Sequence, residues 1–269
     1  MQKLTWPPPC RQSCKSNPIN RIDIISNQTA PSMSNKRNSL SISRMFDSIT
    51  PTYDILNHIL SLGMDFYWRR QLADTIDTKK NIRILDMATG TGDVLISLLH
   101  RHPDITKAVG LDISENMLAL CRRKITKYHL TDKVTLIKAD AAATSLASET
   151  FDYVTMGFGI RNTTEVLATL NETHRLLYQG GKVLILEFSM PSNRIIRNCY
   201  LFYLRRFVPL VGRLLSGDFN AYRYLNTSIE NFYSQENFCR LMQKAGFTNI
   251  NATPLTFGIA CIYQGTKPG

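Results

Sequence analysis

The stretch Ile82-Arg83-Ile84-Leu85-Asp86-Met87-Ala88-Thr89-Gly90-Thr91-Gly92-Asp93 decides the fold. A short apolar run of strand length comes first. Two glycines one residue apart then free the backbone to turn tightly and to approach a ligand closely. A helical pattern follows over residues 93–101. The same alternation repeats downstream. Residues 108–111 read as a second strand, ended by Asp112. Ser114 then caps a helix reaching to Tyr128, with Glu115 in its first turn. Residues 134–137 and 151–156 are a third and a fourth strand. A helix over 165–178 and the turn Gly180-Gly181 lead to a fifth strand at 182–188. Repeated strand–helix units make a parallel sheet with helices on both faces.

Working outward, residues 235–245 read as a helix stopped by Gly246, followed by strands at 247–252 and 258–264. Two strands in succession without a helix are most simply antiparallel. The expected fold is therefore α/β, a seven-stranded, mostly parallel sheet with the last strand inserted against the rest. Before the sheet, residues 42–77 carry Phe46, Ile49, Tyr53, Leu56, Ile59 and Leu60 at helical spacing, broken near Pro51 and Gly63. After the fifth strand, residues 190–234 form a helical insert. Residues 1–40 are rich in Pro, Ser and Asn, with no helix or strand period. They read as a disordered or mis-assigned N-terminal extension, with a transit peptide as the alternative because the segment is basic and poor in acid. One domain over 41–269 is the expected organisation.

Composition narrows the class. The chain has 269 residues, 43% of them apolar and 20% charged, which suits a globular protein and excludes wholesale disorder. The longest uncharged run, residues 245–266, is interrupted by Gly, Thr, Asn, Gln and Pro and is not a continuous apolar stretch, so no spanning helix is expected. The six cysteines are scattered without metal or disulfide spacing and read as reduced thiols of a cytoplasmic protein. The net charge of +11 invites a nucleic-acid or membrane-surface partner. Six of the basic side chains, against one acid, lie within residues 1–40.

In open α/β sheets, ligands sit beyond the carboxyl ends of the strands. Asp86, Gly90, Thr91 and Gly92 cluster at the first strand end, Asp112 ends the second strand, and Asp140-Ala141 follow the third. A dinucleotide fingerprint would need a glycine at position 95, where this chain has Leu95, and no phosphate-loop lysine is present. The carboxylates Asp86 and Asp93 beside the glycines would repel a pyrophosphate. They favour a ligand with ammonium and sulfonium charges and a ribose for Asp112, which describes S-adenosylmethionine. Taken alone, Asp140 could equally be a helix cap.

These residues resemble the ubiquinone/menaquinone biosynthesis C-methyltransferase family, a class I (Rossmann-like) methyltransferase group. The likeness runs from about Met45 to Lys267. It includes Met45-Phe46-Asp47-Ser48-Ile49 with Tyr53-Asp54, Leu60-Ser61-Leu62-Gly63 with Trp68-Arg69, Gly90-Thr91-Gly92-Asp93, and Phe158-Gly159-Ile160-Arg161-Asn162. It continues with Leu186-Glu187-Phe188-Ser189, Tyr222-Arg223-Tyr224-Leu225 and Ala245-Gly246-Phe247. The resemblance implies methyl transfer from S-adenosylmethionine to a ring carbon of a prenylated quinol. The main expectation is demethylmenaquinol, with a benzoquinol or another small hydrophobic acceptor as alternatives. It places cofactor contacts at Thr91, Asp112, Asp140 and Ala141. Three departures stand out: Thr89 where the family has glycine, Leu146-Ala147-Ser148 where it tends to have Leu-Pro-Phe, and Gly157 where some members have a cofactor-contacting serine.

Methylating an aromatic carbon needs electron density there, which an ionised ring hydroxyl supplies. Arg161 and Asn162, just past the fourth strand, are the candidate catalytic pair. Arginine stays protonated, so Arg161 is expected to stabilise a phenolate or hold a water, with Asn162 orienting the substrate or loop. Arg161 as a loop anchor paired with a carboxylate is the alternative. Asp54 and Tyr222 are candidate bases. The histidines show no metal spacing, and no metal is expected. The insert carries Arg194, Arg197, Arg205, Arg206 and Arg213 among apolar residues and no acid before Asp218. It suits a helix at an anionic membrane surface, peripheral on the cytoplasmic side, or alternatively a homodimer surface. A nucleic-acid methyltransferase would need an Asn-Pro-Pro-Tyr-like loop or a cysteine nucleophile after the fourth strand; the chain has neither, so no nucleic-acid partner is expected.

Overall fold

A computed structural model describes residues 12–13, 54, 57–58, 61–77, 81–210 and 219–269. The described strands are β1 (Gln12–Ser13), β2 (Ile82–Met87), β3 (Ile105–Asp112), β4 (Val134–Lys138), β5 (Phe151–Gly157), β6 (Leu177–Phe188), β7 (Thr248–Leu255) and β8 (Ala260–Thr266). They form one sheet in the order β1-β7-β8-β6-β5-β2-β3-β4. β2 pairs in parallel with both β3 and β5, and β5 with β6. β8 lies antiparallel between β6 and β7. The seven expected strands are all present. The eighth, β1, adds two residues to the β7 edge, Gln12 opposite Ala252 and Ser13 opposite Asn251. It lies where the sequence shows no strand period, because pairing at an edge uses backbone groups and needs no apolar alternation.

The helices are α1 (Met64–Ala73), α2 (Asp93–Arg101), α3 (Glu115–Lys127), α4 (Val166–Leu176), α5 (Arg194–Phe202), α6 (Phe219–Glu230) and α7 (Gln235–Lys244). The Ser114 hydroxyl accepts the Met117 N–H and so caps α3, as its sequence indicates. Two local expectations change. Gly180-Gly181, read as a turn, lie within β6, because the Gly180 N–H and the Gly181 carbonyl both bond to the backbone of Lys267. The 190–234 insert is α5, a π-helical turn over Tyr203–Phe207, and α6, with residues 211–218 outside the described residues.

Side-chain parity shows that both sheet faces are buried. Leu85, Met87, Val154, Met156, Val183 and Ile185 join one core cluster with Leu170 of α4 and Phe238 and Met242 of α7. Their neighbours Ile82, Ile84, Tyr153, Leu184 and Leu186 join the other, under Trp68 and Leu72 of α1 and Leu95 and Leu98 of α2. A strand buried on both faces reads as a continuous apolar run, which is how residues 82–87 read. The chain order reverses at β2. From there β3 and β4 extend to one side, while β5 and β6 lie on the other. The loops after β2, β3, β4 and β5 therefore converge beyond the carboxyl ends of the strands, where such sheets bind ligands.

Candidate functional site

Two cavities meet at Phe158, which lines both. The first is a cleft enclosing about 780 Å³ of space open to solvent. It is built from the four converging loops: Ala88 and Gly90 after β2, Asp112 and Ser114 after β3, Asp140 and Ala141 after β4, and Gly157 and Gly159 after β5. Asp112 Oδ2 accepts the Gly90 N–H at 2.8 Å, and Oδ1 accepts the Ser114 N–H at 2.9 Å. The carboxylate thus ties two strand-end loops together at the floor of the cleft. Asp140 Oδ1 accepts the Ala142 N–H at 2.9 Å and shapes the loop after β4.

Of the residues singled out from sequence, Gly90, Asp112, Asp140, Ala141 and Asn162 line this cleft. Asp86, Thr91 and Gly92 lie behind it. Asp86 is fully buried. Its oxygens accept the hydroxyls of Thr89 and Thr155, both at 2.6 Å. Burial, with Asp112 nearby, pushes its carboxyl up to about 6 against those two hydrogen bonds. The expectation that Asp86 greets a cationic ligand is corrected: strand parity points it beneath the turn. The departure Thr89 supplies one of its hydrogen-bond donors. Asp93, the other carboxylate of that argument, is ion-paired with Lys124 at 2.5 Å and Arg69 at 3.4 Å. The Thr91 hydroxyl donates to Asp54 Oδ1 at 2.6 Å, away from the cleft. Gly92 has φ +87°, and a Cβ there would meet Cys121 Sγ at 2.5 Å. At Gly157 a Cβ would meet Val94 at 2.5 Å, so a serine at this position would have to displace that side chain.

The second cavity, of about 1140 Å³, is mostly apolar. Its walls come from distant elements: Met64 and Trp68 of α1, Phe158 and Phe188 at strand ends, Tyr200 and Leu204 of the insert, Ile229 of α6, and Ile259. Arg161, like Arg69, is a buried cation of this wall. Its Nη1 donates to Glu187 Oε1 and to the Phe158 carbonyl, both at 2.6 Å, and its guanidinium stacks 5.2 Å from the Phe188 ring. Its Nε is buried without a partner. Glu187 is fully buried; burial raises its carboxyl pKa, and the Arg161 charge opposes the rise. The loop-anchor role is therefore real, and the same guanidinium also faces the cavity. Phe158 holds φ +56°, rare for a bulky residue, and is fixed by the Arg161 contact and by its own N–H to Leu186. Asn162 Oδ1 accepts the Tyr224 hydroxyl at 3.2 Å, which joins two motifs 62 positions apart.

The sequence left other residues unmarked. Asp65, buried in the cavity wall, accepts Ser61 Oγ at 2.6 Å, pairs with Arg69 at 2.7 Å, and lies 2.6 Å from His58 Nδ1. Only the Asp65–Arg69 spacing of four was legible as a pair. Asp54, a candidate base, is occupied by Lys124 at 2.5 Å and by Thr91. The side chain of Tyr222 lies outside the described residues. Among those described, no group of His, Cys, Asp and Glu could hold a metal ion.

Comparisons with known proteins agree with this architecture. The model of the ubiE/COQ5 methyltransferase family matches residues 33–267. The chain is 43% identical over 223 residues to the ubiquinone/menaquinone biosynthesis C-methyltransferase UbiE of Geobacter sulfurreducens, covering 83% of this chain and 87% of that protein. It is 42% identical over 224 residues to the demethylmenaquinone methyltransferase of Thermus thermophilus, covering 83% and 100%. A SAM-dependent methyltransferase of Thermotoga maritima shares the fold at a TM-score of 0.57 and 18% identity, over 84% of this chain and 99% of that one.

Proposed function

The chain belongs to the ubiE/COQ5 methyltransferase family, and from that premise we propose that it methylates a ring carbon of a prenylated quinol, demethylmenaquinol being the leading acceptor. S-adenosylmethionine supplies an electrophilic methyl group when bound. The cleft fits it: Asp112 stands where ribose hydroxyls need an acceptor, Gly90 faces open space, and Ala141 with Asp140 lies where an adenine would sit. The observation that carries the reading is the shared wall at Phe158. A cleft of strand-end loops opens against an apolar cavity whose wall holds the buried guanidiniums of Arg161, paired with Glu187, and Arg69, paired with Asp65.

In that cavity the quinol ring is held among aromatic and aliphatic side chains, which exclude water and strengthen any charge interaction. Arg161 stabilises the phenolate that makes the ring carbon nucleophilic. Glu187 fixes its orientation and balances its charge. Asn162, held by Tyr224, reaches the cleft from the same turn and orients substrate against cofactor.

The test is methyl transfer from labelled S-adenosylmethionine to demethylmenaquinol and to its benzoquinol analogue. Transfer to the first supports the reading. Transfer only to the second moves it to the other ring, in keeping with the double name of the Geobacter relative. Transfer to neither overturns it.

The acceptor reaches the cavity from a membrane surface. The same helix α5 that lines the cavity with Ile196, Cys199 and Tyr200 turns Ile195 (75% exposed) and Phe202 (60% exposed) outward. Arg194, Arg197, Arg205 and Arg206 are exposed on the same insert, Arg205 being paired with Glu230. Among the described residues no helix is long and apolar enough to cross a membrane, so the contact is a surface one.

A further inference from the structure

We propose that Asp65 and His58 form a proton exit through the wall of the apolar cavity, Asp65 taking the acceptor's hydroxyl proton and His58 passing it to solvent. The inference rests on the reading of that cavity as the quinol site. It answers a physical need. The phenolic proton must leave a site that excludes water, and a fixed guanidinium cannot accept it.

The two residues sit on opposite sides of one wall. Asp65 and Ser61 line the apolar cavity, and Asp65 is 2% exposed. His58 lines a separate charged cleft with Phe66, Asp93 and Lys124, and its side chain is 28% exposed. The carboxylate and the imidazole Nδ1 are 2.6 Å apart. The His58 ring is held by stacking on Phe66, with centroids 4.3 Å apart. Around the dyad stand Arg69 on α1, Asp93 on α2, Asp54, and Lys124 and Lys127 on α3. His100 and Tyr128 line the same cleft. Burial alone would raise the Asp65 carboxyl, but Ser61, the Arg69 charge and His58 together hold it below its ordinary value.

The step balances. The quinol O–H bond breaks, and its electron pair stays on oxygen and feeds the ring carbon that takes the methyl group. The proton moves to the Asp65 carboxylate and on to Nδ1 of His58 in its Nε2–H tautomer, Nε2 then releases a proton to water, and proton exchange with water returns the ring to that tautomer. The methylated ring then loses its C–H proton and regains its hydroxyl, so one proton leaves per turnover.

The test is single-turnover methyl transfer to demethylmenaquinol across the range of about pH 5 to 8, over which histidine changes charge. The wild-type rate rises with pH. His58→Gln lowers the rate by roughly 10²-fold and flattens the rise. Because His58 opens to solvent, added imidazole restores the rate in proportion to its concentration. Asp65→Asn loses the rate without rescue. Should Asp65→Asn fail to fold, the exposed His58 variant carries the test alone, with circular dichroism and S-adenosylmethionine binding as its folding checks. A wild-type pH profile in His58→Gln, or a loss that imidazole does not restore, overturns the proton exit while leaving the quinol reading intact. An inactive wild type overturns the quinol reading itself.

Discussion

The two cavities that meet at Phe158 are built in different ways. The cofactor cleft is made by backbone: four loops at the ends of adjacent strands, tied by Asp112 to the N–H groups of Gly90 and Ser114. The acceptor cavity is made by side chains from elements spread between residues 57 and 259. A fully buried carboxylate stands behind each. Asp86 under the cleft is satisfied by two neutral hydroxyls, whereas Glu187 beside the cavity is satisfied by the Arg161 cation. The difference teaches that the first site is tied by carboxylates that accept from neutral hydroxyl and amide donors, while the second carries a positive charge ready for a substrate anion.

The largest expected effect breaks the charged side of this contrast. Arg161→Leu strands the Glu187 carboxyl and should cost about 3–5 kcal/mol of stability in chemical denaturation, along with activity. The double replacement Arg161→Leu with Glu187→Leu should regain most of the stability and none of the methyl transfer. Recovery of both would reduce the pair to a structural tie. On the backbone side, Asp112→Ala should weaken S-adenosylmethionine binding by about 100-fold in calorimetry, the loss of two charge-assisted hydrogen bonds. A change of less than a few-fold would move the ribose elsewhere.

The buried carboxylate Asp86 makes a pH prediction. Its folded-state value of about 6 lies above the ordinary unfolded value, so its contribution is fully present below about pH 4 and is lost as pH rises through about 6. Wild type should lose about 2–3 kcal/mol over that window relative to Asp86→Asn, read from denaturation midpoints. Parallel pH curves would contradict a buried, raised carboxyl. Gly157→Ser should cost about 1–3 kcal/mol by overpacking Val94, and Val94→Ala should relieve it. The smallest effect concerns the acceptor's route. Reversing Arg206 to Glu should weaken co-sedimentation with anionic vesicles by about 1 kcal/mol, and Ile195→Ser with Phe202→Ser should weaken it further. Vesicle binding untouched by either change, or a dimer in light scattering that buries α5, would end the surface-contact reading.

How much was legible follows the same divide. The strand–glycine–helix unit at 82–101 and the acid ending β3 could be read because a parallel sheet keeps its loops at fixed distances from apolar runs. Gly90, Asp112, Asp140 and Ala141 accordingly fall together. Asp86 and Thr91 were legible in place but not in side-chain direction. Spacing places a residue at a strand end but does not say that its side chain points under the turn or toward Asp54. The Asp65–His58 contact left no mark in the sequence: seven residues is close to two helical turns, but the break at Gly63 lies between the two and interrupts that period.

The sequence by itself determined the layered α/β architecture, the place of the cleft and the methyltransferase family, since these depend on local periodicity and on short motifs. Only the tertiary structure decided that Arg161 meets Glu187, that Asn162 meets Tyr224, and that Asp65 and His58 share one wall. Such contacts are set by which faces pack together, and packing is fixed by the burial of the whole sheet and its covering helices rather than by any one stretch of chain.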